Sequence, residues 1–195
     1  MRYKITTAPT TEPVSLAEAK LWLKVDGDDD DDLIGSLITA ATDYCQQYEG
    51  RAYIEQTITA FINTFAKVVN LPMSPVLSIT SVHYLDVDGN WELLDDAFYN
   101  LHNTTDPAYI EFDISDISVG VKDCDNAVKI IFTSGYRYHD GAAWAGDVPE
   151  RVKAAMCLLI THWYERRMAT CEQALKEIPM GVKSLLSERL WNSAD

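Results

Sequence analysis

The densest collection of oxygen ligands in the chain is Asp26-Gly27-Asp28-Asp29-Asp30-Asp31-Asp32, so it is the first place to look for a bound cation. A calcium loop of the EF-hand type needs oxygens at alternate positions, glycine at position six and a bidentate glutamate at position twelve. Counted from Asp26 the twelfth residue is Leu37, and counted from Asp28 it is Thr39. Neither side chain closes a coordination sphere. Asp86-Val87-Asp88-Gly89-Asn90 fails in the same way, with Ala97 at the twelfth position. The first run is better read as an acidic start that complements a helix dipole, and the second as a hairpin turn.

His83, His102, His139 and His162 show no metal-ligand spacing such as H-E-x-x-H. His162, beside Trp163 on a helical pattern, reads as a partly buried, hydrogen-bonded residue. Ser134-Gly135 closes a strand-like run, where a turn accounts for it without a nucleophile. Nucleophile-elbow, phosphate-loop and dinucleotide motifs do not occur. Glu165-Arg166-Arg167 reads as a solvated helix end. Asn103-Thr104-Thr105 fits a glycosylation acceptor, which has no meaning without secretion. Cys45, Cys124, Cys157 and Cys171 are widely spaced and form no C-x-x-C pair, so free thiols are expected. Cys45 and Cys157 sit among apolar helix positions, where cysteine behaves as a small hydrophobe. The sequence therefore predicts no catalytic residues, no cofactor and no metal.

Composition narrows the class further. With 195 residues, 47% of them hydrophobic, the chain can build a core in one domain or in one domain with a sizeable insertion. No apolar run approaches the roughly 18 residues of a membrane helix, and the polar start Met1-Arg2-Tyr3-Lys4 is unlike a secretory signal. A soluble protein made in the cytoplasm is expected. The formal net charge of −14 makes direct gripping of nucleic acid improbable, since phosphate is repelled. Solubility alone is one sufficient reason for such acidity.

The elements that position these residues fall in three blocks. Residues 1–13 read as an irregular lead-in, with Pro9 and Pro13 excluding helix. Ser15 and Glu18 form a capping box that opens a short helix ending near Val25, its apolar face Leu16, Ala19, Leu23 and Trp22. After the aspartates, Ile34, Leu37, Ala41, Tyr44 and Tyr48 alternate spacings of three and four, one face of a long helix stopped by Gly50. The period then changes. Strands are predicted at 57–62, 79–85, 91–94, 99–101, 109–112 and 128–133, with Asp88-Gly89 as a hairpin turn; residues 113–127 have no clear period. Pro149 suits a first helical turn, with Asp147 as cap. Val152, Met156, Leu159 and Trp163 mark a third helix, apolar almost all round. Pro179 interrupts the chain before a last short helix over 182–191. The predicted fold class is α+β: a helical bundle from the N- and C-terminal helices with an inserted, mostly antiparallel β-sheet. It is read as a single domain over residues 1–195, with helices at about 15–50 and 149–191 and the β-rich insertion at about 54–136.

Four stretches resemble one family in order and spacing. Glu12-Pro13-Val14-Ser15-Leu16-Ala17-Glu18-Ala19-Lys20 leads through Leu23-Lys24-Val25-Asp26 to Asp32-Leu33-Ile34. Ala40-Ala41 continues through Tyr44 to Tyr48-Glu49-Gly50-Arg51. Leu71-Pro72, Pro75-Val76, Ile79-Thr80-Ser81-Val82 and Tyr84-Leu85-Asp86 follow. Phe132-Thr133-Ser134-Gly135-Tyr136 then precedes Val148-Pro149-Glu150-Arg151-Val152-Lys153 and His162-Trp163-Tyr164-Glu165. Together they resemble the head-tail connector (adaptor, head completion) proteins of long-tailed phages and prophages, over most of the chain outside about residues 100–127 and the last fifteen or so. The Trp144-bearing loop departs from that pattern.

The resemblance implies a structural virion protein and not an enzyme. It implies a ring of about twelve subunits, closed by rotation, that lies between portal and tail and continues the DNA channel. The implied partners are further copies of the chain, the portal protein and tail-side neck proteins. DNA passes through without specific binding, and no membrane is involved. The implied location is the head-tail junction of the virion, after synthesis in the bacterial host cytoplasm. It also implies that the C-terminal segment docks on the portal. Leu185, Leu186, Leu190 and Trp191 are the candidate docking residues; the competing reading is a last helix packed on its own core. Asp28, Asp29, Asp30, Asp31 and Asp32 are candidates for an acidic lumen or rim. The alternatives are another neck or tail-terminator protein of a phage and, from a different class, a small hydrolase with scattered carboxylates.

Overall fold

The computed structural model describes residues 1–115, 117, 119–136, 148–165 and 180–186. The chain divides into two compact units: Met1–Pro9 with Gly50–Asp140, and Thr10–Glu49 with Gly141–Asp195. The fold is α+β, with N- and C-terminal helices packed together in the second unit and antiparallel sheets between them in sequence.

In the helical unit, α1 spans Leu16–Leu23 and α2 spans Asp31–Glu49. Both halves of the predicted capping box form: the Glu18 amide donates to Ser15 Oγ at 3.2 Å, and the Ser15 amide donates to Glu18 Oε2 at 2.7 Å. Lys24, left-handed at φ 58°, ends α1. Ala19 is buried, whereas Trp22 is half exposed and Leu21 points to solvent, so Trp22 does not belong to the inner face. Gly50 stops α2 at φ 64°. The buried face of α2 differs from the predicted one. Ile34, Ile38, Ala41, Thr42, Cys45 and Gln46 are inside, while Leu37 and Tyr44 are intermediate and Tyr48 is exposed. Tyr44 and Tyr48 stack on one another instead, ring centroids 6.1 Å apart. The inner ridge carries two polar side chains; Thr42 is satisfied by donating to Glu12 Oε2 at 2.8 Å and to the Ile38 carbonyl at 3.0 Å.

Helix α3 spans Glu150–Glu165, and Pro149 sits just ahead of it, its carbonyl accepting from the Val152 and Lys153 amides. Val152, Ala155, Met156, Cys157, Leu159 and Ile160 are all buried, as its nearly all-round apolar pattern requires. Helix α4 spans Met180–Leu186. Helix α3 packs against α1, α2 and α4. Asp147 and residues 187–191 lie outside the described residues.

The β unit starts earlier than predicted. Residues 2–7 are a strand, β1 (Arg2–Thr7), antiparallel to β2 (Gln56–Ile62), and not an irregular lead-in. All six β1 residues are exposed, so no buried stripe marked it. The other strands are β3 (Val68–Asn70), β4 (Val76–Leu85), β5 (Trp91–Leu94), β6 (Tyr99–His102), β7 (Tyr109–Phe112) and β8 (Val128–Ser134). They form a five-stranded sheet in the order β1-β2-β8-β4-β5 and a three-stranded sheet in the order β3-β7-β6, every strand pair antiparallel. The sheets share one core: Ile58 and Ala60 of β2, Val82 of β4 and Val128, Ile130 and Phe132 of β8 meet Val69 of β3 and Ile110 and Phe112 of β7. Phe65 packs on Phe112 at 5.2 Å between ring centroids.

Two turns explain specific residues. Asp86 accepts from the Gly89 and Asn90 amides at 2.7 and 2.8 Å, which closes the β4–β5 hairpin and holds its carboxyl below the usual range. Gly135 has φ +127°, and a Cβ there would overlap the Ile54 carbonyl, so only glycine fits where residue 54 bridges to Tyr136.

Candidate functional site

Among the described residues no group of three or more His, Cys, Asp or Glu side chains is placed to hold a metal ion. Ser134 is fully buried, and its Oγ hydrogen-bonds to the carbonyls of Met73 and of Pro75, the latter at 2.8 Å. That hydroxyl ties β8 to the loop before β4 and is closed to substrate. His83 hydrogen-bonds Ser81, and burial together with the Lys129 charge lowers its pKa. His102 stacks on Tyr109 at 4.5 Å and lies 3.3 Å from Glu111. Burial pushes the Cys45 thiol up to about 12 and raises that of Cys157, so both act as core residues.

The aspartate run leads into α2, with Asp31 and Asp32 in its first turn, where carboxylates complement the positive helix end. Its side chains divide by role. Lys20 of α1 reaches Asp28 Oδ1 at 2.8 Å and Asp31 Oδ1 at 2.7 Å, clamping the end of α1 to the start of α2. The hydrogen bonds that Lys20 donates to Asp28 and then Asp31 raise its pKa, and the same contact lowers that of Asp28. Asp30 Oδ2 accepts from the Tyr164 hydroxyl at 2.6 Å, which joins the run to α3. Asp29 and Asp32 are exposed. Charge and structure are thus combined in one segment: a face rich in carboxylates is held rigid by one lysine and one tyrosine.

At the other candidate site, Val182 and Leu186 of α4 are buried and Leu185 is half-buried. Leu190 and Trp191 lie outside the described residues. Arg151 of α3 fixes this end, its Nη1 donating to the Leu185 carbonyl at 3.0 Å and to Glu49 Oε1 at 3.3 Å. One guanidinium therefore holds the last residue of α2 and the last turn of α4. Glu12 has a comparable role that sequence reasoning missed: its carboxylate accepts from Thr39 and Thr42, both at 2.8 Å, and pins the incoming chain across α2. Two hydroxyls three residues apart on a helix were the available signal.

The family model for head completion proteins matches residues 12–176, most of the chain. The chain belongs to the head completion protein family. Head completion proteins are structural parts of a particle and not enzymes. The fold is shared with a chain from the neck of an empty GTA particle in C6 symmetry, at a TM-score of 0.73 and 21% identity, covering 96% of this chain and 94% of that one. It is shared also with a chain from the virion of a native gene transfer agent (GTA) particle, at a TM-score of 0.71 and 21% identity over 96% and 94% of the two chains. A chain from the neck of a native GTA particle in C12 symmetry matches at 0.71 and 21%, over 96% and 93%. No curated protein sequence matches.

Proposed function

We propose that this head completion protein is one subunit of a ring at the head-tail junction of a phage-like particle. There it joins the portal to the tail-side neck proteins and continues the DNA channel. The observation that carries the reading is the family match over residues 12–176. The fold shared with neck chains of GTA particles in C6 and C12 symmetry supports a rotationally closed ring, about twelve copies in the fuller case. In this reading the two compact units work as one connector domain. The C-terminal segment with Leu185, Leu186, Leu190 and Trp191 docks on the portal, Leu186 anchoring α4 to its own unit while the residues after it reach the partner.

The acidity has a place in this scheme. Residues 10–49 hold ten carboxylates and two lysines. Twelve copies at −14 would carry on the order of −170, and repulsion of phosphate acts within about 8–10 Å of the wall. Asp28, Asp29, Asp30, Asp31 and Asp32 would then form part of a lumen or rim along which DNA slides without sticking.

The test is to mix purified protein with portal particles and image the product. A ring seated on the portal is expected; bare portals at saturating protein would overturn the reading. Leu190→Ser combined with Trp191→Ser should abolish decoration while folding is retained. Asp29→Asn combined with Asp32→Asn, which spares the Lys20 and Tyr164 contacts, should slow genome passage, and unchanged packaging and ejection would remove the lumen assignment.

A further inference from the structure

The two outer strands of the five-stranded sheet, β1 and β5, are open and carry opposite charge. Strand β1 is exposed at all six positions, including Tyr3 and Ile5, which leave water in contact with half of each side chain. Strand β5 exposes Trp91, Glu92 and Leu93. Among the described residues neither strand has a pairing partner on its outer side. Open strand edges with exposed apolar side chains are templates for pairing with another chain. In a protein of net charge −14, the first eleven residues hold Arg2, Lys4 and no carboxylate. Strand β5 and its flanks hold Asp86, Asp88, Glu92, Asp95 and Asp96; Lys129 of β8 reaches over the Trp91 ring at 4.4 Å, and the edge stays net negative.

We propose that the β1 edge of one copy pairs with the β5 edge of the next, so that the sheet runs on from subunit to subunit. The charge pattern chooses this occupant. Two β1 edges together would oppose cations, and two β5 edges would oppose carboxylates; only the unlike pair attracts. Direction agrees with rotational closure. Because five strands pair antiparallel throughout, β1 and β5 run the same way, so rotation about a ring axis brings them together as a parallel pair. The faces also match. Arg2 lies in one cross-sheet row with Phe61, Lys129, His83 and Leu93, so in a continued sheet Arg2 and Lys4 fall on the face of Trp91 and Leu93. Tyr3 and Ile5 fall on the face of the buried Leu94 and lengthen its apolar layer. The proposal rests on the ring reading and adds the surface through which copies join.

Zero-length carbodiimide coupling tests it on the full-length protein, free at high concentration and on portal particles. Within one chain β1 and β5 are four strand spacings apart, roughly 19 Å, so an amide between Lys4 and Asp95, which share a face of the continued sheet, has to join two copies. Linked peptides of that kind are expected, their yield rising with concentration. Lys4→Glu or Asp95→Lys alone should reduce the yield about fivefold. The double reversal should restore it, with position 4 now supplying the carboxylate and position 95 the amine. The proposal is overturned if no such link forms in either preparation, or if Lys4 couples to the portal in place of a second copy. Portal decoration by the unmodified protein, scored separately, decides the ring reading on its own terms.

Discussion

Arg151→Met is the sharpest test of how the helical unit is held. The guanidinium donates to Glu49 and to the Leu185 carbonyl. Glu49 is the last residue of α2, where a carboxylate meets the negative end of the helix dipole, and its side chain is 2% exposed. Methionine keeps most of the apolar stem but withdraws both donors. Removing one partner of a buried ion pair costs roughly 3–5 kcal/mol. Arg151 is itself 27% exposed, so water offsets part of its own loss but little of that of Glu49. The expected destabilisation is therefore about 3 kcal/mol. Urea unfolding followed by helical circular dichroism measures it. Glu49→Gln added to Arg151→Met should recover about 1–2 kcal/mol, because the buried carboxylate that lost the guanidinium is then neutral. A single variant within about 0.5 kcal/mol of the parent, or a double variant no better than the single, would refute the reasoning.

Other expectations follow from single contacts. Gly135→Ala should cost more than about 3 kcal/mol, read as a fall in midpoint or as insoluble protein, since its Cβ would overlap the Ile54 carbonyl. Ser15→Ala should cost about 1 kcal/mol through loss of the capping box. The backbone hydrogen bond from Ser15, then its hydroxyl, lowers the Glu18 pKa. The stability this gives is thus present above the unfolded glutamate pKa and lost as pH falls through the lower folded value. Unfolding curves between pH 5 and pH 3 (about the range of a lowered carboxylate) should therefore converge for the parent and the Ser15→Ala variant; a gap that widens on acidification would contradict this. Maleimide at mildly alkaline pH should label Cys124 far faster than Cys45 or Cys157, resolved by peptide mass spectrometry, and equal rates would show that the buried thiols are open to solvent.

Much of the helical unit was legible because local rules act alone there. Ser15 and Glu18 announce a helix start, Gly50 a stop, and the block around Met156 a buried helix. The inner face of α2 was misread because two ridges share Ile34 and Ala41. One continues through Leu37, Tyr44 and Tyr48, the other through Ile38 and Cys45. The more apolar ridge stayed partly outside, since Glu12 made Thr42 tolerable within. In the β unit most strands announced themselves by β-branched runs, but β1 is exposed on both faces and β3 is three residues long, too short for a period. The partition into two sheets depends on β2 pairing with β8, some seventy positions later, which no local pattern encodes. Of the candidate site, the acidic run was visible as charge; that Lys20 and Tyr164 hold three of its five aspartates was not, because those contacts exist only once α1, α2 and α3 have met.

The helical unit is built from residues 10–49 and 141–195, with the whole β unit threaded between. During synthesis α1 and α2 emerge early and then wait for α3, about a hundred residues later, or roughly 5–20 s at ordinary ribosome speeds. The β unit can close in that interval, while α1 and α2 have only each other and not the apolar face of α3. A chain cut short by stalled translation or proteolysis would lack that completed unit. The order of synthesis would then act as a quality check, since only a finished chain can complete the helical unit.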